Sequence, residues 1–241
     1  MSDQLTNKLD SYHPSQEALD LINSTKILLL VGPTGAGKDY LKETLLATGN
    51  YHHLVSHTTR PPRINHGVLE KDGKEYFFIT NAQAEEMLDN HEFVEAKNYS
   101  GNIYGTSLTE IKAAHDEDKV ALTDIEVKGV AEYKELDPSV MTIFLLPPSF
   151  DIWQERLSRR YGDVVDVVDH RRRLETALKE IDELFTHDYY AVLISDDIDR
   201  SAKEVQSYIE TCKQDPVYVK TAHDVARKLA KDIHQYLDTA M

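Results

Sequence analysis

A short glycine-rich run, Gly32-Pro33-Thr34-Gly35-Ala36-Gly37-Lys38, has the clearest chemistry in the sequence. It follows an apolar segment, Ile27 to Val31, and precedes a segment of helical character that begins near Asp39. Glycines let a backbone curl so that successive N–H groups point at an anion, and the dipole of the next helix adds to the attraction. A lysine at this offset can reach the β- and γ-phosphates of ATP. The run therefore predicts a phosphate-binding loop (P-loop) made of Gly32, Pro33, Thr34, Gly35, Ala36, Gly37, Lys38 and Asp39.

Asp39 stands where a P-loop usually has a serine or threonine that offers its hydroxyl to Mg²⁺. A carboxylate beside phosphates is unfavourable unless a cation lies between them. Either Asp39 joins the Mg²⁺ shell, or it faces away and phosphates and water hold the metal ion. We take the first interpretation as a hypothesis, with ATP and Mg²⁺ as the expected cofactors.

Eight of the ten arginines fall in two groups. A guanidinium fork matches phosphate oxygens, so two groups indicate two phosphate-bearing places. For the second group, a solvated helix face is the alternative interpretation. The first group is Arg60 and Arg63, and the second is Arg156, Arg159, Arg160, Arg171, Arg172 and Arg173.

Further motifs follow the P-loop along the chain. They are Val55-Ser56-His57-Thr58-Thr59-Arg60-Pro61-Pro62-Arg63, Glu70-Lys71-Asp72-Gly73-Lys74-Glu75-Tyr76-Phe77-Phe78, Phe93-Val94-Glu95-Ala96, Gly101-Asn102-Ile103-Tyr104-Gly105-Thr106, Thr123-Asp124-Ile125-Glu126, Pro147-Pro148-Ser149 and Ser195-Asp196-Asp197-Ile198-Asp199. In this order, and together with the P-loop, they resemble the guanylate kinase family of P-loop nucleoside monophosphate kinases. The resemblance runs from about Lys26 to Val205.

The resemblance implies an enzyme that transfers the γ-phosphoryl group of ATP to GMP, or to dGMP, with Mg²⁺. It assigns the GMP phosphate to hydroxyl and guanidinium groups, and the guanine base to a carboxylate and a hydroxyl. An ordinary core role is the alternative for the two tyrosines, and a solvated strand position is the alternative for Glu95. The residues implied for GMP are Ser56, Arg60, Arg63, Glu70, Tyr76, Glu95, Tyr104, Thr106 and Asp124.

The resemblance also implies a helical lid of about 156–173, which brings positive charge over the transferring phosphoryl group. Catalysis then consists of positioning and charge neutralisation. Four differences from the family pattern are Asp39, Glu126, Ser195 and an apparent insertion at 64–69. The residues implied for catalysis are Lys38, Arg60, Arg156, Arg160 and Arg173.

The elements needed to position these residues follow an alternating pattern that predicts an α/β fold. We expect a central, mostly parallel sheet flanked by helices, an inserted small mixed-sheet region for GMP at about 56–106, and the helical lid. Expected strands are 27–31, 54–58, 121–124, 141–145 and 191–194. Expected helices are one after Pro14, one from Asp39, 108–117, 127–135, 150–160, 171–185 and an amphipathic one after Pro216.

Three regions make up the predicted organisation of the chain. These are an N-terminal extension at 1–24, the kinase domain at 25–213 and a C-terminal helical extension at 214–241. The amphipathic C-terminal helix is expected to pack on the core of its own chain, with a dimer contact as the alternative.

The overall charge of -15 argues against a nucleic acid or an anionic membrane as the partner. The single cysteine, Cys212, rules out an intrachain disulfide and a cysteine-based metal site. No signal peptide and no apolar run of membrane-spanning length is evident. We therefore expect a soluble cytoplasmic protein, either a monomer or a homodimer.

Two other functions fit part of the pattern. A ribose bisphosphate kinase-like enzyme shares the aspartate after the P-loop lysine, but it does not need Glu95, Thr106 and Asp124 together. A non-catalytic guanylate-kinase-like module binds phosphorylated peptides, but such modules typically have degraded P-loops.

Overall fold

The computed structural model describes residues 3–65, 68–99, 101–161 and 167–239. The chain forms two compact units. The first is Met1–Ile27, Asn50–Thr123 and Glu132–Ser139, and the second is Leu28–Gly49, Asp124–Ala131 and Val140–Met241. Residues 66–67 of the predicted insertion, residue 100 of the predicted GMP region, 162–166 of the predicted lid, and 1–2 and 240–241 at the chain ends lie outside the described residues.

Helices and strands alternate along most of the described chain. The helices are α1 (Asp3–Asp10), α2 (Gln16–Ser24), α3 (Lys38–Leu46), α4 (Asn81–Asp89), α5 (Leu108–Asp116), α6 (Val127–Leu136), α7 (Phe150–Tyr161), α8 (Val167–Thr186), α9 (Ile198–Thr211) and α10 (Pro216–Thr239). The strands are β1 (Ile27–Val31), β2 (Tyr51–His53), β3 (His57–Thr58), β4 (Ile64–Asn65), β5 (Val68–Leu69), β6 (Phe77–Phe78), β7 (Phe93–Tyr99), β8 (Asn102–Ser107), β9 (Val120–Asp124), β10 (Met141–Leu146) and β11 (Ala191–Ile194).

The predicted α/β fold is confirmed, and most predicted elements recur with small shifts at their ends. The predicted strand at 54–58 is wrong, because β2 ends at His53 and β3 begins at His57. Val55 gives a physical reason: its N–H donates to Glu110 Oε2 at 3.0 Å rather than to a neighbouring strand. Three helices, α1, α4 and α9, were not predicted from the sequence.

In the second unit, β1, β10 and β11 pair in parallel, with Leu30 opposite Ile143 and Ile143 opposite Ala191. All three strands are buried along their whole length. Continuous apolar burial of this kind is typical of parallel strands covered on both faces. Since β1 leads directly into the glycine-rich run, this sheet fixes where the P-loop begins.

The β11 strand carries side-chain partners from the segment that follows α9. The Gln214 amide accepts a hydrogen bond from Val192 N at 2.8 Å and donates one to Val192 O at 2.8 Å. The Tyr218 hydroxyl accepts one from Ile194 N at 2.9 Å. Side chains from the C-terminal region therefore satisfy backbone groups that a further strand would otherwise pair.

The first unit contains the predicted small mixed sheet, in the order β6-β3-β8-β7. The β3 and β6 strands are parallel, whereas β8 is antiparallel to both β3 and β7. In the same unit, β2 pairs with β9 in parallel. The region predicted as an insertion contains the antiparallel pair β4–β5, with exposed Ile64, Val68 and Leu69 side chains.

The N-terminal helix α1 packs in the core of the first unit. Leu5 and Leu9, one turn apart, are buried in a cluster that includes Phe93 of β7. The Tyr12 hydroxyl donates to Phe93 O at 2.6 Å, and Lys8 forms ion pairs with Glu85 and Asp89 of α4. These contacts explain why a polar segment too short to be a stable helix in isolation is helical here.

The C-terminal helix α10 packs on the second unit, as its amphipathic pattern predicts. Its buried residues, Ala222, Ala226, Leu229 and Ile233, recur at intervals of three or four and form one face. Among the described residues, no helix combines the length and apolarity needed to cross a membrane.

This packing yields a prediction on stability. Leu229 is 1% exposed, so Leu229→Ala should lower the free energy of unfolding by about 2–5 kcal/mol. Lys231→Ala, an exposed position on the same helix, is the matched control and should change it by less than about 0.5 kcal/mol. Urea denaturation of the three proteins measures both effects. Equal stabilities would contradict a packed α10.

Candidate active site

The P-loop backbone needs its glycines. Gly32, Gly35 and Gly37 have φ angles of 128°, 83° and 104°, a region that L side chains rarely adopt. At Gly32 a side chain is also excluded by space, because a Cβ atom there would lie 2.2 Å from Leu145 O. Gly37 is the residue before α3, so the loop ends at the N-terminus of that helix. The predicted strand–loop–helix context is therefore present.

Lys38 turns back onto the loop that precedes it. Its Nζ atom donates to Gly32 O and, at 3.2 Å, to Pro33 O. An arriving phosphate would therefore compete with two carbonyl oxygens for the ammonium group. Carbonyl oxygens carry only partial charge, so a phosphate is the stronger partner.

The negative charges around Lys38 oppose the effect of burial on its pKa, whereas the charge of Arg160 adds to that effect. Burial lowers the pKa of its ammonium group, whereas the negative charges of Glu180, Asp124 and Asp39 act in the opposite direction. Burial raises the pKa of the Glu180 carboxyl group to about 7, and the charge of Lys38 opposes that rise. Glu180 Oε2 has no hydrogen-bond partner among the described residues. Sequence reasoning missed Glu180, because a lone glutamate on a helix gives no signal of its environment.

Three side chains brace the P-loop through its carbonyl groups. Trp153 Nε1 donates to Thr34 O at 2.8 Å, and Arg156 Nη1 donates to Ala36 O at 3.2 Å. Arg156 also donates to Ser195 Oγ at 2.7 Å and to Ser195 O at 2.6 Å, while Ser195 Oγ donates to Ala36 O. Arg156, predicted as a lid residue, is thus placed against the loop. The bracing roles of Trp153 and Ser195 were not predicted.

The other predicted lid arginines have acidic partners. Arg160 Nη1 lies 3.1 Å from Asp39 Oδ2, and both side chains are exposed. Arg173 donates to Asp169 Oδ2 within α8, at 2.9 Å from Nε and 2.6 Å from Nη2. That hydrogen bonding lowers the pKa of Asp169. The structure therefore brings Arg160 to the start of α3, and it pairs Arg173 within its own helix.

The first unit holds a second cationic site, centred on Arg60. Arg60 and Glu70 have side chains that are each 6% exposed. Arg60 Nη1 donates to Glu70 Oε2 at 2.8 Å, and Arg60 Nη2 donates to Glu70 Oε1 at 3.1 Å. Arg60 Nε donates to the Tyr104 hydroxyl at 3.1 Å, and the guanidinium carbon lies 5.2 Å from the Tyr76 ring centroid. The fork is therefore held in one orientation.

The pKa values agree with this pairing. Burial lowers the pKa of Arg60, but its hydrogen bonds with Glu70 and Tyr104 more than offset that effect and raise the pKa overall. Burial raises the pKa of Glu70, but hydrogen bonds from Arg60 and the Arg63 backbone outweigh it and lower the pKa overall. Glu70 thus fixes the arginine and, through Arg63 N at 2.8 Å, the loop beside it.

Tyr76 lies beside this pair, whereas the Ser56 and Arg63 side chains form no hydrogen bond or ring contact with it within the described part of the chain. The Tyr76 and Tyr104 rings make an edge contact at 5.7 Å, beside the guanidinium group. The Arg63 side chain is exposed, whereas Ser56, one residue before β3, is half-buried. The structure thus gathers Arg60, Glu70, Tyr76 and Tyr104 into one cluster. The Arg63 backbone joins this cluster through its hydrogen bond to Glu70.

Glu95 and Thr106 form a polar pair in the first unit. They are opposite each other on β7 and β8. Glu95 Oε1 accepts hydrogen bonds from Thr106 N at 3.0 Å and from Thr106 Oγ1 at 2.9 Å. Gly105 permits this approach, because a Cβ atom there would lie 2.6 Å from Glu95 O. Asp124, the third predicted base-reading residue, belongs to the second unit and is bound there by Lys42 Nζ.

The Glu95 carboxyl group has an altered acidity. Burial raises its pKa to about 7, whereas the hydrogen bonds from Thr106 and the charge of Lys97 lower it and Glu132 raises it. In a site where a carboxylate and a hydroxyl lie side by side, the carboxylate can accept hydrogen bonds from two donors, and the hydroxyl can donate one to an acceptor of the same planar ligand. A purine base whose edge carries two donors and one acceptor matches this arrangement.

A glycine-rich loop between a buried parallel strand and a helix, with a lysine at the helix start, defines an α/β phosphate-binding protein of the P-loop class. A family model described as guanylate kinase matches residues 24–212. The chain therefore belongs to the guanylate kinase family.

Individual relatives agree with this assignment. The chain is 35% identical over 190 residues to a guanylate kinase of Prochlorococcus marinus subsp. pastoris. The aligned region covers 78% of this chain and 99% of the relative. The chain is 35% identical over 185 residues to a guanylate kinase of Lactococcus lactis subsp. lactis, covering 76% and 86%. The crystal structure of guanylate kinase from Anaplasma phagocytophilum matches with a TM-score of 0.57 and 26% identity, over 80% of this chain and 89% of that one.

The Glu95–Thr106 pair yields a prediction on acidity. NMR of the side-chain carboxyl carbon should show Glu95 titrating near pH 7 in the unliganded protein. Thr106→Val should raise this pKa further, because it removes a hydrogen bond that favours the charged form. Glu95→Gln identifies the resonance by removing it. A midpoint near 4.5, the ordinary value for glutamate, would contradict the buried pocket.

The same shift has a consequence for stability. The folded-state pKa lies above the ordinary value, so the folded protein binds more protons than the unfolded chain between about pH 4.5 and about pH 7. The contribution of Glu95 to the free energy of unfolding therefore falls as the pH rises through that window. Glu95→Gln should remove this part of the pH dependence.

Proposed function

We propose that this chain transfers the γ-phosphoryl group of ATP to GMP, giving ADP and GDP. The observation that carries the proposal is the Glu95–Thr106 pair, in a chain whose P-loop lysine and glycines are all present. The proposal assigns GMP, or dGMP, to the first unit and ATP to the second.

Guanine matches the chemistry of that pair. It presents N1–H and N2–H₂ as adjacent donors, which an ionised Glu95 accepts, and it presents O6 as an acceptor for the Thr106 hydroxyl. Adenine would direct an acceptor at the carboxylate and an amine at the hydroxyl. A site built to hydrogen-bond one polar edge discriminates strongly against a base that leaves it unpaired. Asp124 is the third proposed base-reading residue.

The Arg60 cluster is the proposed site for the GMP phosphate. Its guanidinium group is pre-oriented by Glu70 and Tyr104, so little side-chain freedom remains to be lost on binding. In this proposal, the Ser56 and Tyr76 hydroxyls and the Arg63 side chain supply further donors to the phosphate oxygens. Glu70 positions Arg60 and keeps it charged.

Phosphoryl transfer between two phosphates needs positioning and charge neutralisation rather than a general base. The GMP phosphate is largely ionised near neutral pH, its second pKa being about 6. Lys38 is proposed to leave the loop carbonyls for the ATP phosphates. Arg156, Arg160 and Arg173, with Arg60, complete the proposed set of catalytic cations.

The residues at the start of α3 fit a magnesium ion. Asp39 presents an exposed carboxylate next to Lys38, and Mg²⁺ commonly takes one or two carboxylates together with phosphates and water. Within the described residues no group of three or more histidine, cysteine, aspartate or glutamate side chains is placed to hold a metal ion, so phosphates would supply most ligands. When bound, Mg²⁺ neutralises phosphate charge. In this structure the positive charge next to the Asp39 carboxylate is the Arg160 guanidinium group.

The remaining expectations stay proposals. They are the kinase domain at 25–213 between terminal extensions, a cytoplasmic location, and a monomer or homodimer without nucleic acid or membrane partners.

A coupled assay of ADP formation tests the proposed function. With GMP, AMP and ribose bisphosphate as acceptors, GMP should give by far the highest kcat/KM. Preference for ribose bisphosphate would support the second kinase class. No turnover with any acceptor, together with binding of a phosphorylated peptide, would support a binding module.

The role of Lys38 gives a quantitative prediction. Lys38→Ala should lower kcat with GMP by about 100-fold or more, because a fixed positive charge on the transferring group is lost. Lys26→Ala, an exposed lysine before β1, is the matched control and should leave kcat unchanged. Thermal unfolding checks that both variants fold. Undiminished phosphoryl transfer in Lys38→Ala would overturn the P-loop assignment.

Asp39 provides the last prediction on the proposed function. Asp39→Asn should raise the Mg²⁺ concentration needed for half-maximal turnover, while KM for GMP stays within about 2-fold. Asp39→Ser also breaks the exposed pair with Arg160, which is worth about 0–1 kcal/mol, but it restores an oxygen ligand. It should therefore retain substantial activity. Superimposable magnesium titrations of the three proteins would show that Asp39 takes no part in metal binding.

A further inference from the structure

Tyr12, two residues after the end of α1, binds the main chain of β7. Its hydroxyl donates to Phe93 O at 2.6 Å, and its half-buried ring packs against the cluster that contains Leu5, Leu9 and Phe93. Burial raises the pKa of Tyr12 to about 12, so the hydroxyl remains a donor at neutral pH. The match to the family model begins at residue 24, so membership of the family assigns no role to this tyrosine.

The same segment holds the turn that leads into β7. The rings of Tyr12 and His91 are stacked, with their centroids 5.9 Å apart and an interplanar angle of 29°. His91 Nδ1 lies 3.2 Å from His13 O, and His91 has a φ angle of 55°, in the left-handed region. Since β7 is the outer strand of its four-stranded sheet, the segment after α1 takes a place that no strand of this sheet occupies.

The pairing of β7 with β8 shifts by one residue just after Phe93. Phe93 is opposite Ser107, whereas Glu95 is opposite Thr106, so Val94 is an extra residue on β7. A β-bulge of this kind redirects the side chains that follow it. Here it brings the Glu95 carboxylate to Thr106, whose N–H and hydroxyl donate to Oε1 at 3.0 Å and 2.9 Å.

A bulge one residue further along β7 would break this pair. Val94 would then lie opposite Thr106 and Glu95 would be the extra residue, while pairing from Ala96 onward would stay the same. Moving the bulge requires rotation of the peptide groups around it. The Phe93 carbonyl belongs to the peptide group that joins Phe93 to Val94. Because Tyr12 binds that carbonyl, its hydrogen bond opposes the rotation.

We propose that Tyr12 is a positioning residue for base recognition. Its hydrogen bond to Phe93 O keeps the bulge at Val94, and the Glu95 carboxylate therefore stays opposite Thr106. The N-terminal segment thus contributes to specificity without touching the base. The inference rests on the proposed function, because it assumes that the Glu95–Thr106 pair reads guanine.

Tyr12→Phe removes the hydroxyl and keeps the ring that packs in the cluster. With saturating ATP, KM for GMP should rise about 3- to 10-fold, the range of one net hydrogen bond. The kcat and the KM for ATP should stay within about 2-fold, because no group on the phosphates is changed. An unchanged KM for GMP would overturn the proposal.

Hydrogen exchange of the Thr106 amide tests the register directly in the unliganded protein. Its N–H donates to Glu95 Oε1 only while the bulge lies at Val94. Tyr12→Phe should therefore speed up exchange at this amide about 3- to 10-fold. Amides of β10, in the second unit, should stay within about 2-fold. Unchanged exchange at Thr106 would contradict the role of Tyr12.

A double-mutant cycle tests whether Tyr12 acts through Glu95. In a Glu95→Gln background, the carboxylate that the bulge positions is already absent. Tyr12→Phe should then change KM for GMP by less than about 2-fold. Additive effects of the two substitutions would show that Tyr12 acts by another route and would overturn the proposal.

Tyr218 offers a matched control. Its hydroxyl also binds the backbone of a strand, accepting from Ile194 N at 2.9 Å, but it belongs to the second unit. Tyr218→Phe should leave both the KM for GMP and the exchange of the Thr106 amide within about 2-fold of the parent values. Equal rises in KM for GMP in the two variants would show a general loosening of the fold and would count against a specific role of Tyr12.

The parent protein keeps the two hypotheses distinguishable. If it does not phosphorylate GMP, the proposed function fails, and the exchange of the Thr106 amide alone decides whether Tyr12 fixes the register. If it does phosphorylate GMP, and Tyr12→Phe keeps the parent KM for GMP, only the role of Tyr12 fails.

Discussion

A loop that binds an anion through its N–H groups has to be held in place by something else. In this protein the neighbours hold the P-loop by its carbonyl groups: Trp153 binds that of Thr34, and Arg156 and Ser195 bind that of Ala36. Lys38 occupies the two carbonyls at the start of the loop. Bracing of this kind leaves the inward-facing donors to a phosphate, and it gives α7 and the end of β11 their place in the site.

In the first unit, the buried Arg60 guanidinium group also has to be held by its neighbours. A guanidinium group removed from water must be paired, or it destabilises the fold by several kcal/mol. Glu70 satisfies Arg60 through two hydrogen bonds, and the Tyr76 and Tyr104 rings complete its surroundings. The same contacts that make the charge tolerable also fix its direction. The stability of the buried charge and its orientation therefore depend on one set of interactions.

The sequence predicted structure correctly where neighbouring residues along the chain determine the backbone. A glycine-rich run between an apolar strand and a helix requires a particular backbone, so the P-loop was predictable residue by residue. The break between β2 and β3 was not, because it depends on Glu110, which lies 55 residues away from Val55. The Thr80–Gln83 capping box was a readable signal for α4 that was overlooked.

The site could be predicted from the sequence only in part, because the sequence does not show which side chains contact one another in the folded protein. Nothing in the spacing of Glu180 distinguishes it from an ordinary helix position, although burial raises the pKa of its carboxyl group. Similarly, the second group of arginines predicted a phosphate-binding region, but it did not predict that Arg156 would bind the P-loop carbonyl of Ala36. The residue types were predictable, whereas the assignment of each to a neighbour required the fold.

The Gln214 and Tyr218 contacts with β11 occupy backbone groups on the open side of a sheet. A strand with open N–H and C=O groups is a template for another strand, from a second copy or from a misfolded chain. The match to the family model ends at residue 212, two residues before the first of these contacts. The C-terminal region therefore does more than add length to the family domain. It covers one side of β11, and a chain shortened to the family boundary would expose the Val192 and Ile194 backbone groups that Gln214 and Tyr218 bind.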